Sequence, residues 1–282
     1  MRIFSTLRRL KKSARCRDAT TGSRRDEFEK SASAGYLLSA PEKRRSGGAR
    51  RGTAAAGEGE ETPDGSIIMK TIILTFDDVT VSQLENAAPL LLKYGFGATF
   101  FACRFSDEWR SCHSGHLMSA TQIRELYDMG FEIGNHTWNH RLPPGECARE
   151  IDRLNEFLAD AGIPTPETFA YPGGPYNDEA AAILRNRGCL AARTTEYAAW
   201  DVDECDPMRV PAIPIQGSDG KLFRQALELG SGINPVVLVF HGTPDLVNPA
   251  VSTPAEVLAG YLATLAEGGW RGVGIAEYLR SR

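Results

Sequence analysis

The sequence predicts an α/β fold: an irregular (β/α) barrel of about seven parallel strands, forming a single domain behind a disordered N-terminal tail. Three observations lead there. From Met69 onward, short runs that are apolar nearly throughout alternate with helical periodicity, as expected of strands buried on both faces and paired in parallel. The polar residues able to do chemistry follow at least four of these runs, at Asp77/Asp78, His136/His140, Gly173/Gly174 and His241. Strand ends so widely spread along a chain meet most easily around the mouth of a barrel. No glycine-rich phosphate loop follows the first strand, which disfavours a doubly wound, dinucleotide-binding sheet.

The tail comes first in the chain. Residues 1–68 hold 15 Lys+Arg against 9 Asp+Glu, a net +6, whereas residues 69–282 carry −10. The basic excess therefore belongs to a segment rich in Arg, Ser, Gly, Ala and Glu, which has too little apolar surface to offset its ordering entropy. It does not argue for a nucleic-acid partner. The opening residues, Met1 to Lys12, are basic but lack the apolar core of a secretory signal. A transit peptide would be similarly rich in Arg and Ser, yet Asp18, Asp26, Glu27 and Glu29 count against one. Residues 1–68 are expected to be a dispensable extension and residues 69–282 the folded domain. No apolar stretch of about 18 residues exists, so no membrane span is expected. The six cysteines form no CxxC pair and are expected to be reduced, as in a cytoplasmic protein. Nothing in the composition indicates an oligomeric state.

Strands are predicted at 71–76, 98–103, 131–134, 168–171, 189–193, 236–240 and 272–275, with intervening helices ended by Gly95, Gly130, Gly162, Gly188, Gly230 and Gly268. Ser119-Ala-Thr-Gln122 reads as a capping box, with Ile123, Leu126 and Tyr127 on one helical face. Thr253-Pro254-Ala255-Glu256 reads as a second box with proline at the first helical position. Leu84, Ala87, Ala88 and Leu91 keep helical spacing after the first strand, but Pro89 forbids a regular turn there. That helix either kinks or starts at Asn86.

The chemistry begins with Thr75-Phe76-Asp77-Asp78, two adjacent carboxylates ending the apolar run Ile72-Ile73-Leu74. Asp is almost never buried unless paired or bound to a metal. His136 and His140, four residues apart, would share one face of a helical turn. Two imidazoles and a carboxylate make a three-ligand divalent site with one position open, as a catalytic ion requires. Period-two alternation sends adjacent side chains apart, so one Asp is expected to bind the ion. The other stays free to accept a proton from water that the ion activates. Val236-Val-Leu-Val-Phe-His241 ends the most apolar strand with a histidine suited to act as general acid near neutral pH. Tyr171, Trp138 and Trp200 are candidates to stack on a ligand at the mouth, with hydrophobic packing an equal alternative. His113 and His116 read as an exposed loop pair near the rim.

Taken in order, TFDD, HTWNH, FAYPGG and LVFHG resemble the polysaccharide deacetylase family, the NodB-homology domain, across residues 69–282. The resemblance implies a deformed (β/α) barrel with a divalent metal that removes acetyl groups from N-acetylated amino sugars or glycans. The metal would be zinc, with Co2+, Mn2+ or Ni2+ as alternatives. It makes Asp77 the catalytic base, Asp78, His136 and His140 the metal ligands, and His241 the general acid. By analogy the Gly173 N–H, beside Tyr171, helps the ion hold the oxyanion. The sequence departs from the family pattern in the third motif. The arginine that usually tethers the base is Ala170, and the groove aromatic is Gly173. The Asp–Trp motif has no clean match, with Trp200-Asp201, Asp203 and Asp206 followed by Arg209 as candidates, and Arg209 is the expected replacement tether. Two alternatives stand beside deacetylation: an allantoinase-like amidase acting on a small amide, and a catalytically silent glycan-binding barrel.

Overall fold

The fold is organised by one strand, β1 (Thr71–Asp77), which is buried almost end to end and bonded in parallel on both edges. The computed structural model describes residues 60–61, 67–68, 70–230 and 234–282. Of the extension expected at 1–68, only Glu60–Glu61 and Ile67–Ile68 are described, as a short antiparallel pair. The expectation of disorder otherwise lies outside the described residues.

After β1 the chain runs through α1 (Ala88–Tyr94), β2 (Thr99–Ala102), α2 (Asp107–Cys112), α3 (Ala120–Asp128), β3 (Glu132–Asn135) and α4 (Cys147–Asp160). It continues with β4 (Thr168–Ala170), α5 (Asp178–Asn186), β5 (Ala191–Arg193), β6 (Ile213–Pro214) and α6 (Lys221–Leu229). The last elements are β7 (Val236–Phe240), α7 (Ala255–Glu267), β8 (Arg271–Val273) and α8 (Ile275–Arg280). The strands order as β5-β4-β3-β2-β1-β7-β6, and β8 joins the first half of β1, on the edge whose second half bears β2. Every one of these pairings is parallel. All seven expected strands form.

The strand missing from the sequence reading is β6, which contains a proline and lies in a segment that closes the curled sheet. Val210 exchanges hydrogen bonds with β5 (Val210 N to Ala192 O, 2.9 Å; Thr194 N to Val210 O, 2.8 Å). A few residues on, Ile215 N donates to Val239 O of β7 at 2.8 Å. Residues 210–215 thus carry the sheet from its β5 edge back to β7. The result is the deformed barrel that the sequence predicted.

Two apolar layers follow from this closure. Inside the barrel lie Ile73, Phe101, Ala170, Trp200, Val237, Val239 and Val273. Outside it, alternate residues of the same strands (Ile72, Leu74, Phe76, Leu238, Phe240) pack against Leu91, Ile123, Leu154, Phe223 and Leu262 of the helices. The floor of the barrel is polar and satisfied. The half-buried Glu132 carboxylate accepts from Thr99 and Thr168 hydroxyls and from Ala276 N, and desolvation raises its pKa above the ordinary value.

Local expectations fare unevenly. The Ser119 capping box forms with both reciprocal bonds. The Thr253 box does not: Thr253 Oγ1 donates to Ile215 O, tying α7 to the closing segment instead. A π-helical turn over Gln83–Ala87 precedes α1, so the ladder is already re-registered where Pro89 would lack a donor. Neither a kink nor a start at Asn86 is needed. Among the described residues, Cys103, Cys147, Cys189 and Cys205 are free thiols. No helix among the described residues is long and apolar enough to cross a membrane.

Gly134 of β3 is glycine for want of space. A Cβ there would sit 2.4 Å from the ring of buried Phe101, which itself packs beneath Arg193 with 5.2 Å from guanidinium to ring centroid. Gly134→Ala is therefore expected to cost about 1–3 kcal/mol through overpacking, read as a Tm lowered by several degrees in thermal unfolding. An unchanged Tm would show that Phe101 can retreat.

Candidate metal and active site

Adjacent carboxylates at the end of β1 are separated by a backbone turn, not by strand alternation alone. Asp77 is the last residue of the strand, whereas Asp78 has φ 76°. Asp78 N bonds Phe101 O at 3.0 Å and Gln83 Nε2 donates to Asp77 O at 2.6 Å, fixing the turn from both sides.

Asp78, His136 and His140 converge. One ligand atom from each lies within 4.8 Å of the others, with Asp78 Oδ1 3.8 Å from His136 Nε2 and 3.7 Å from His140 Nε2. His136 is buried, and its Nδ1 lies 2.7 Å from Ala170 O. A carbonyl only accepts, so Nδ1 carries the proton and Nε2 turns an open lone pair toward the cluster. Burial, the largest influence, pulls this imidazole down to about 4 against the opposing pull of Asp77 and Asp78, keeping it neutral and able to ligate. A carboxylate oxygen and a neutral Nε2 aimed at one point fit a divalent cation.

The two histidines do not share a helical turn. Residues 136–140 form a loop in which Thr137 (φ 67°) and His140 (φ 53°) are left-handed. The loop is pinned by polar contacts: Asn135 Oδ1 accepts from Thr137 N at 2.8 Å, and Glu150, buried on α4, accepts from Asn139 N and Nδ2 at 2.7 and 2.9 Å. The spacing signal pointed to the right pair through the wrong local structure.

Asp77 stays outside the ligand set. Its Oδ2 lies 3.8 Å from His136 Nε2 and 3.9 Å from His241 Nε2. Arg193, completely buried at the end of β5, bonds both of its oxygens through Nη2 at 2.5 and 2.6 Å. Burial pushes the Asp77 carboxyl up, but Arg193, His136 and His241 outweigh it and hold the group below its usual range. Arg193 is thus the tether that the third motif lacks.

The other expectations sort by environment. Arg209 does not reach the base: it forms an exposed pair with Glu196. Trp200 lies inside the barrel, only 1% exposed, where no sugar reaches it. Tyr171 is fully buried and donates its hydroxyl to Met208 O at 2.9 Å, so it packs against the core and presents no face to substrate. Trp138 is flanked by the guanidinium groups of Arg110 and Arg153 and by the Phe157 ring, a packing role on the α4 side. Gly173 is exposed at φ 70°, and its N–H donates to no described residue. His113 and His116 both contact Trp109, and His116 Nε2 lies 3.5 Å from buried Asp245 Oδ1. That pair ties two loops together and is less exposed than expected.

Sequence reasoning missed Arg193 and Cys103, whose Sγ lies 3.2 Å from Asp78 Oδ1. Arg193 was detectable: a charge ending the small-residue run Ala191-Ala192 needs a buried partner by the same logic applied to Asp77.

Comparison with known proteins bears on the fold. Residues 65–192 match the family described as polysaccharide deacetylase. A poly-beta-1,6-N-acetyl-D-glucosamine N-deacetylase of Staphylococcus epidermidis is 26% identical over 162 residues, 53% of this chain and 56% of that protein. The chain thus spans about half the length of the curated relatives it matches. Among solved structures, a peptidoglycan N-acetylglucosamine deacetylase superposes with TM-score 0.54 at 18% identity, covering 74% of this chain and 87% of that one. A pseudoenzyme of carbohydrate esterase family 4 from Bacillus anthracis gives 0.51 at 20%, covering 74% and 65%. At such identities the likeness establishes the fold, and a fold shared with a pseudoenzyme leaves the chemistry to the site residues.

Two outcomes follow from the site's electrostatics. Arg193→Ala leaves Asp77 buried without its cation and is expected to destabilise by roughly 3–5 kcal/mol, whereas exposed Arg209→Ala is expected to unfold like wild type. Denaturant unfolding of both variants checks this, and equal losses would refute the tether. His136 is depressed in the folded state, so below its unfolded value near 6.5 the unfolded chain takes the proton first. Metal-free protein should therefore lose stability as pH falls from about 6.5 to about 4, with Asp77 adding further loss as pH falls from its ordinary value of 3.8 through its lowered pKa. A His136→Asn variant should show a flatter dependence in the upper part of that window.

Proposed function

We propose that the chain, whose residues 65–192 match the polysaccharide deacetylase family, is a metal-dependent hydrolase removing acetyl groups from an N-acetylated amino sugar or glycan. The observation that carries this is the different fate of two neighbouring carboxylates. Asp78 joins two imidazoles at one point, while Asp77, a residue away, is held out of that cluster by Arg193. A binding site has use for the first arrangement. Only a reaction needing a base beside an electrophilic centre has use for both.

Asp78, His136 and His140 would hold the ion, and zinc suits a set of two imidazoles and one carboxylate. When bound, a divalent ion supplies Lewis-acid polarisation and lowers the pKa of water from 15.7 to about 7.

The protein's own groups do the rest. Asp77, ionised at neutral pH, takes a proton from the attacking water at Oδ2, the oxygen that faces His136 and His241. Arg193 keeps that carboxylate charged and fixed in rotation, so its reach does not depend on substrate. The water oxygen bonds to the acetyl carbon, and the Gly173 N–H, in a left-handed loop, would donate to the oxygen that becomes negative. His241 gives its Nε2 proton to the departing nitrogen as the C–N bond breaks, leaving acetate and a free amine. His241 is 21% exposed at its side chain, which suits a group that must meet the leaving sugar and then recover a proton from solvent.

Acetate release from N-acetylglucosamine oligomers is the test. Activity should disappear with a chelator and return with added zinc. Asp77→Asn should retain metal while losing about 10²–10⁴-fold in kcat, the range of general-base contributions. An Asp77→Asn protein that turns over at the wild-type rate would sink the assignment of the base. Zinc-loaded wild-type protein that releases no acetate across a panel of N-acetyl sugars would sink the function.

A further inference from the structure

Two of the three ligand side chains are supported from a segment that contributes no ligand itself. Residues 103–105 follow β2 at the mouth of the barrel. Cys103 is completely buried, and its Sγ lies 3.2 Å from Asp78 Oδ1. That is the same oxygen that faces both histidines. Two residues on, the Phe105 ring stacks on His140 with centroids 4.9 Å apart and planes at 29°.

The need for such support differs among the ligands. A histidine that binds metal ordinarily donates its second ring N–H to an oxygen, which fixes the ring plane. His136 does so, to Ala170 O. His140, with a side chain 28% exposed, makes no such bond to any described residue. Flat contact with Phe105, and an edge contact with His136 at 4.8 Å and 70°, take its place.

Phe105 holds its position at a local cost. Its φ of 57° is an outlier for a bulky residue, and such strain persists only where surroundings over-determine it. They do: Arg104 N donates to Trp138 O at 2.8 Å, Arg110 Nη1 bonds Arg104 O and Phe105 O, and Trp109 stacks on the Phe105 ring at 4.3 Å.

We propose that residues 103–105 orient the metal site: Cys103 fixes the rotation of the Asp78 carboxylate through S–H···Oδ1, and Phe105 fixes the ring plane of His140. Both are positioning residues that act through ligands, and the proposal rests on Asp78, His136 and His140 being the ligand set.

Zinc affinity of the full chain, measured by competition with a chromophoric chelator alongside Tm of the metal-free protein, separates this from a packing role. Glycine adopts φ near 57° freely, so Phe105→Gly should leave the metal-free Tm unchanged or raised. Its zinc Kd should weaken by about 10–100-fold, the usual cost of losing a ligand's supporting partner. Phe105→Trp, which keeps a flat face, should restore tight binding. Cys103→Ala should weaken zinc by a similar factor, and Cys103→Ser, which keeps a donor, should recover most of it. If Phe105→Gly does not fold, Phe105→Leu, bulky but without a flat face, replaces it with the same expected loss of affinity. Wild-type affinity in Phe105→Gly (or its Leu substitute) and in Cys103→Ala would overturn the proposal. His140→Ala in the same assay isolates the underlying reading: if it too binds zinc like wild type, or if wild type binds none, the ligand set is wrong and the proposal falls with it.

Discussion

A guanidinium buried inside a barrel is costly to desolvate, and the Arg193–Asp77 pair is the constraint around which the mouth of this protein is arranged. Neither charge is tolerable alone in that interior. Together they bind the end of β5 to the end of β1 across the barrel, although those strands lie far apart in the sheet order. The Phe101 ring beneath the guanidinium and the small residues around it leave space for Arg193 and for little else. Once Asp77 is held there, the chain must turn sharply to bring Asp78 out toward the histidines. The different settings of the two carboxylates, one paired with a guanidinium and one turned to the histidines, are therefore a consequence of the ion pair.

The loop elements serve the same arrangement. His136 is seated by a carbonyl of β4, and the 136–140 loop is anchored on α4 through Glu150. Asp77 additionally faces His241 from β7. Side chains from β1, the 136–140 loop after β3, β5 and the end of β7 thus meet at one end of the barrel, while Glu132 closes the opposite end with a fully bonded carboxylate. Chemistry at one end and structural polarity at the other is the usual division in barrels of this type.

Much of this was legible in the sequence, for identifiable reasons. Strands buried on both faces write themselves as apolar runs, so β1, β2 and β7 were plain, and a carboxylate pair ending one of them demanded an explanation. What could not be read depended on partners distant in sequence. Arg193 is separated from Asp77 by 116 residues, and the local motif at Ala170 pointed to the wrong substitute, Arg209. The closing segment at 210–215 contains two prolines and forms few ladder bonds, so periodicity does not detect it. The aromatics Tyr171, Trp138 and Trp200 were drawn toward the substrate by their nearness to motifs, whereas burial and packing had already claimed them.

Among the described residues, five other than glycine have positive φ, Asp78, Val79, Phe105, Thr137 and His140, and three of them belong to the Asp–His–His cluster or touch it. Each is held in a conformation its side chain disfavours, so the folded state alone carries the expense of keeping the site in shape. Substitutions toward glycine at these points relieve the backbone and erode the geometry in one step. A lineage under pressure only to remain soluble would drift along that slope, and a barrel intact in outline but chemically inert is where such drift ends.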